Sequence, residues 1–238
     1  MQTIGILGGM APESTVEYYR TIIEASHNKG WDKRYPQTII NSLNFEDFYR
    51  PLSAGDDDRV LEVLTGGIDA LERAGADFAL LASNTPHAFA PEVEAATALP
   101  LLSIVDATGE AAVERGFERI GLLGTRFTMD GDFYPRGFDE HDLDVVTPPA
   151  AEKQWIHDVI FEELTNGVFT AETKVELVRI VESLQETADV DAVALACTEL
   201  PLILDDDDLP VPSLNTTALH ANAAFDRAVE ADRAVSTQ

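Results

Sequence analysis

A single cysteine, Cys197, occurs in the 238 residues of this chain. One thiol excludes an intramolecular disulfide framework and fits a reducing compartment. No apolar run approaches the roughly 18 residues of a membrane span. The opening "MQTIGILGGM" is too short and too glycine-rich for a signal peptide. The expectation is a cytoplasmic protein with no membrane partner. Basic residues are scarce as well: Lys plus Arg number 16 against 43 Asp plus Glu, a net charge of −27. Lysine occurs only at 29, 33, 153 and 174. A surface this acidic repels nucleic acid and anionic lipid. The apolar fraction, 45%, is ordinary, and the acids lie between periodic segments, so disorder does not explain them. The charge reads as a halophilic surface whose fold depends on salt.

Other absences narrow the chemistry. His27, His87, His141, His157 and His220 show no metal-ligand spacing, so no metal is expected. "ILGGMAPEST" (6–15) is a glycine turn, but G-x-G-x-x-G and a Walker lysine are both missing, which argues against a nucleotide cofactor. Gly9 instead lets the backbone approach a small anionic ligand, with Met10 as one wall. The Asp runs at 56–58 and 205–208 read as solvated loops, and Trp31 and Trp155 as packing residues.

What is present is alternation. Short apolar runs at 2–9, 37–45, 77–83 and 100–107 are separated by helical patterns at 11–30 and 56–76. A second series follows, with strands at 119–125, 144–149 and 190–197 and helices at 152–167 and 171–188. The segment around Tyr134 reads as a loop, and the last helix starts near 216. This is an α/β pattern of parallel strands with helical crossovers. The plan also repeats. "IGILGG" (4–9) matches "IGLLGT" (120–125), and "FALLAS" (78–83) matches "AVALAC" (192–197), at offsets of 116 and 114 residues. Two pseudo-symmetric α/β lobes follow, placed at 1–105 with 211–238 and at 106–210. Each is a short parallel sheet flanked by helices.

The repeat aligns Ser83 with Cys197, each at the C-terminal end of its strand, where open parallel sheets bind ligands. Two lobes facing each other would set the pair across a cleft. By itself "CTE" (197–199) is equally a buried cysteine before a loop; its alignment with "SNT" (83–85) favours a working thiol. A free thiol titrates near pH 8.5, so it must be shifted down or act with substrate assistance. Backbone N–H groups with Asn84, Thr85 and Thr198 suit a carboxylate. His87, four residues after Ser83, reads either as a neighbour of that side or as a residue making a local hydrogen bond.

The chain resembles the aspartate/glutamate racemase family. The resemblance is carried by "GILGGMAPESTVEYY" (5–19), "SNTPH" (83–87), "GLLGT" with "TM" and "FY" (121–134), "IFEELTNG" (160–167), "ACTELPLIL" (196–204) and "NTTALHA" (215–221). It implies two lobes with the active site between them, a small amino-acid substrate, frequent homodimers, and racemisation without pyridoxal phosphate or metal. In that mechanism two cysteines flank the substrate Cα, one removing the proton and the other delivering one to the opposite face. Gly9, Met10, Asn84, Thr85, Thr125 and Thr198 fall at ligand-shell positions, and Glu199 at one that orients a thiol or the substrate ammonium. Here Ser83 replaces the first cysteine, and a hydroxyl is a far weaker acid and a poor base. Racemisation between Cys197 and Ser83 is the expectation. Single-cysteine decarboxylation or isomerisation, and amino-acid binding without catalysis, are the alternatives. A distal substrate carboxylate would call for a cation, with Arg50, Arg126 and Lys153 the candidates.

Overall fold

The computed structural model describes the backbone of residues 1–235 and side chains through Glu230. The chain divides into one unit of residues 1–104 with 220–238, and a second of residues 105–219. Each is built on a four-stranded, all-parallel sheet.

In the first unit the sheet order is β2-β1-β3-β4. Its strands are β1 (Ile4–Gly8), β2 (Thr38–Ser42), β3 (Phe78–Leu81) and β4 (Leu101–Leu102). β1 and β3 are buried at every position, as strands covered on both faces must be. Helices α1 (Pro12–Asn28), α2 (Phe45–Ala54), α3 (Asp57–Ala74) and α4 (Ala90–Ala96) connect them. α3 shows why such a stretch is a helix. Asp56 caps it, its carboxylate accepting Arg59 N–H at 3.2 Å, and Val60, Leu64, Ile68 and Leu71 form one buried stripe. Gly75, in the left-handed conformation, ends it.

The second unit repeats the order as β6-β5-β7-β8. Its strands are β5 (Arg119–Gly124), β6 (Asp144–Val146), β7 (Ala192–Ala196) and β8 (Ser213–Asn215). Its helices are α5 (Ile104–Glu114), α6 (Arg126–Met129), α7 (Phe133–Asp139), α8 (Ala150–Glu162) and α9 (Ala171–Ala188). The last helix, α10 (Thr216–Val235), begins in the second unit. Its buried Ala221, Ala224, Phe225, Ala228 and Val229 join the first unit's core with Ile4, Ile6, Tyr18, Phe78 and Leu80. The return to the first unit falls at 219/220, because β8 (213–215) is hydrogen-bonded to β7.

Three details depart from the sequence reading. The run expected as a strand at 100–107 is two residues of β4, and α5 starts at Ile104. The segment around Tyr134 is α6 and α7, with Tyr134 fully buried. The Asp run at 205–208 does structural work. Asp205 and Asp208 form a capping box, Asp206 accepts Ser213 N–H at 3.0 Å, and Asp208 pairs with Lys174 at 2.6 Å.

Candidate active site

Both sheets bring polar side chains to the C-terminal ends of their two central strands. In the second unit, β5 and β7 are neighbours with Gly124 opposite Ala196. Thr125 and Cys197 therefore leave adjacent strands at the same level. A side chain on Gly124 would press on Ala196 O at 2.8 Å, so glycine keeps this approach close. Thr216 Oγ1 donates to Leu195 O at 3.1 Å and ties down the end of β7.

The half-buried Cys197 thiol donates to Glu199 Oε2 at 2.8 Å, and Thr198 Oγ1 donates to the same oxygen at 2.9 Å. Glu199 is buried, at 7% exposure. Burial pushes the thiol well above its usual range, and the charge and hydrogen bond of Glu199 push it the same way. The sequence requirement was a lowered thiol or substrate assistance; the shift runs upward. At rest the sulfur holds its proton, with a carboxylate oxygen in transfer distance. That arrangement can release a proton to a carbanion. It can also pass one to Glu199 and become a base.

In the first unit Leu7 lies opposite Leu81, and Ala82 N–H donates to Leu7 O at 2.8 Å. Gly8 and Gly9 thus run beside Ala82 and Ser83. Gly9 has φ +85°, and an added Cβ would strike the backbone of Leu43. Its N–H donates to Thr15 Oγ1 at 2.9 Å. Met10 is packed into the core with Leu7, Phe48 and Leu81. Ser83 and Thr85 are half-buried and Asn84 is buried. Each unit therefore gathers its own share of the expected residues: Gly9, Met10, Ser83, Asn84 and Thr85 in one, Thr125, Cys197, Thr198 and Glu199 in the other.

His87 makes a local hydrogen bond. Its Nδ1 lies 2.9 Å from Ser83 O, and Ile104 N–H donates to its Nε2 at 3.2 Å. His220, which no sequence argument singled out beyond its place in "NTTALHA", is buried beside it, ring centroids 5.5 Å apart. Of the three candidate cations, Arg126 and Lys153 are both engaged with Asp130, at 2.9 and 3.1 Å. Arg126 also donates to Gln154 and Lys153 to Met129 O. Arg50, exposed on α2, makes no ion pair among the described residues. It borders an open cavity of about 480 Å³ with Glu46, Asp47 and Arg59. Among the described residues no three His, Cys, Asp or Glu side chains converge as metal ligands, and no helix is long and apolar enough to cross a membrane.

The family described as Asp/Glu/Hydantoin racemase matches residues 7–224. The chain belongs to that family. Among its relatives is the broad specificity amino-acid racemase RacX of Bacillus subtilis (strain 168), 26% identical over 235 residues, covering 92% of this chain and 95% of that one. A protein from Yersinia pestis, solved as a candidate Asp/Glu racemase, superposes with a TM-score of 0.90 at 34% identity, covering 96% of this chain and 100% of that one. An aspartate racemase homologue from Pyrococcus horikoshii OT3 does so with a TM-score of 0.85 at 37% identity, covering 96% and 99%. Against these structures the two parallel four-stranded sheets are the family's α/β fold.

Proposed function

We propose that this racemase inverts α-amino acids by moving the α-proton between Cys197 on one face of Cα and the Ser83 side on the other, without pyridoxal phosphate or metal. The observation that carries the reading is the Cys197–Glu199 contact of 2.8 Å at the end of β7, at the position that corresponds in the repeat to Ser83 at the end of β3. In one direction the Sγ proton passes to Glu199 Oε2, and the thiolate takes the α-proton as the Cα–H bond breaks. The Ser83 hydroxyl then delivers its proton to the opposite face, and the proton held on Glu199 returns through solvent to the Ser83 oxygen, which closes the cycle. In the other direction the neutral thiol delivers its proton to the carbanion, a step for which its resting state is prepared. Donors from Asn84, Thr85 and Thr125 stabilise the carboxylate as negative charge grows there, while Thr198, whose hydroxyl donates to Glu199 Oε2, holds that side chain in place.

The test is a panel of L- and D-amino acids in D2O at high salt, following α-deuterium and optical rotation. Inversion with deuterium uptake is expected. Cys197→Ala should lower the rate by about 10²–10⁴-fold. The two enantiomers are equal in energy, so kcat/KM must be equal in both directions. Ser83→Cys is therefore expected to raise both together. No exchange with any amino acid would sink the reading; exchange without inversion would replace it with one-sided chemistry at Cys197.

Side-chain selection follows from the free cation. With Arg126 and Lys153 held by Asp130, Arg50 is the residue we assign to a distal substrate carboxylate. Arg50→Ala should raise KM for aspartate or glutamate about tenfold, one lost charge-assisted contact, and leave KM for neutral amino acids unchanged. Equal effects on both classes would remove Arg50 from the assignment.

A further inference from the structure

We infer that His87 is a positioning residue that sets the Ser83–Asn84 turn through a hydrogen bond from its Nδ1–H to the Ser83 carbonyl. The inference rests on the racemase reading of Ser83, and it gives His87, for which the sequence left two readings open, a definite task on the serine side. The proton positions follow from the partners. Ile104 N–H can only donate, so His87 Nε2 accepts and Nδ1 carries the hydrogen, 2.9 Å from Ser83 O. The ring is 4% exposed and cannot exchange this bond for water. Its neighbour is fixed in the same way. A carbonyl can only accept, so His220 Nε2–H donates to Leu102 O at 2.9 Å, and the Tyr18 hydroxyl donates to Nδ1 at 2.8 Å. Tyr18 on α1, His220 on α10 and His87 thus form one buried polar cluster of neutral rings, every ring nitrogen of which has a partner.

The placement explains the arrangement. Ile104 is the last residue of the first unit before the chain leaves it, and His220 is the first after the chain returns. His87 bonds one and stacks edgewise on the other while holding the carbonyl of the proposed proton donor. A serine hydroxyl is a poor acid and base, so it relies on being well placed to act at all. A residue that fixes the backbone of Ser83 matters more here than it would beside a cysteine.

The experiment compares wild type with His87→Ala, His87→Asn and His87→Gln, each checked for a native melt. Asn presents an N–H where Nδ1 stood; Gln presents its amide where Nε2 stood. Amide hydrogen exchange of the segment 83–87 is measured first. Faster exchange in the Ala and Gln variants with wild-type exchange in Asn is expected. Equal exchange in all four, or Asn and Gln behaving alike, overturns the inference. With an amino acid that the wild type inverts, the ratio of α-deuterium uptake to inversion in D2O is measured next. The starting enantiomer is the one that still exchanges in Ser83→Ala, since its α-proton faces Cys197. Weakening the serine side leaves uptake intact and slows inversion, so the ratio should rise about tenfold to a hundredfold in Ala and Gln and return towards wild type in Asn. A loss of packing alone would lower both rates together and leave the ratio unchanged, which also overturns the inference. If the wild type exchanges no amino acid, the racemase reading falls, and the amide exchange alone decides whether His87 sets the turn.

Discussion

At the scale of single residues, the thiol and its carboxylate carry the sharpest consequence. Glu199 raises Cys197, and in the proposed mechanism it also takes the thiol's proton; these two roles separate under substitution. Glu199→Gln removes the negative charge, so thiolate absorbance should titrate at lower pH than in wild type. The same change removes the proton acceptor, so kcat should fall, by about 10²-fold or more. A rise in kcat would show that Glu199 only hinders the thiol. The buried imidazoles make a second, independent statement. Burial lowers His87 from 6.5 to about 4; burial, then the neighbouring His87, lowers His220 to about 3. Below pH 6.5 the unfolded chain binds protons that the folded chain refuses, so stability falls as pH drops and levels off only below the folded values. For His87 alone the loss is roughly 3 kcal/mol between pH 6.5 and 4. His87→Asn should make the fall in melting temperature over that window shallower, the remainder belonging to His220; an unchanged slope would remove His87 as a cause. At this scale the repeat visible in the letters aligned Cys197 with Ser83, and both lie just past the ends of their strands, β7 and β3. The sequence could not show the direction of the thiol shift, because that depends on how deeply Cys197 lies and on which way Glu199 points. His220 and Tyr18 are 202 positions apart in the chain, and no local pattern joins them.

At the scale of elements, the turn from β1 into α1 is the most constrained. Gly9 combines φ +85° with a Cβ position already filled by the Leu43 backbone. Gly55, which ends α2, has φ +69° but open space around it. Gly55→Ala should therefore cost only the conformational strain, about 1 kcal/mol. Gly9→Ala should cost that and the displacement of Leu43, so that its unfolding midpoint in urea drops clearly further. Equal midpoints would mean that the turn relaxes freely. The long helices were readable in the sequence for physical reasons. Asp56 and Gly75 bracket α3, Thr170 caps α9, and both carry a one-sided apolar stripe. The short elements were not. "PLLSIVDA" is a continuous apolar run, which has no period to separate two strand residues from the first turn of α5. The segment around Tyr134 looked like a loop because α6 and α7 have four and seven residues, too few to show a helical repeat.

At the scale of the whole molecule, charge sets the conditions. Individual ion pairs such as Glu17–Arg20, Asp132–Arg136 and Asp144–Arg119 lie at the surface and weaken in salt. Against them stands the mutual repulsion behind a net charge of −27, which salt also screens. With 43 acidic residues to 16 basic ones, most carboxylates have no cation to pair with, so repulsion outweighs pairing. The screening length shrinks from about 10 Å at 0.1 M to about 3 Å at 1 M. The melting temperature should therefore rise steadily across that range of potassium chloride, and a flat or falling curve would overturn the salt-adapted reading. That the two sheets share one plan was the part of the architecture most open to sequence reasoning, since a repeat is visible in the letters; their strand order came only from the structure. α10 adds a consequence for how the protein is made. The second unit is one uninterrupted stretch and can close once residue 219 has left the ribosome. The first unit cannot, because Ile4, Phe78 and Leu80 wait for Phe225 and its alanine neighbours to cover them. The half that is synthesised first is the half that finishes folding last, and a nascent chain must carry an open apolar sheet through most of its translation.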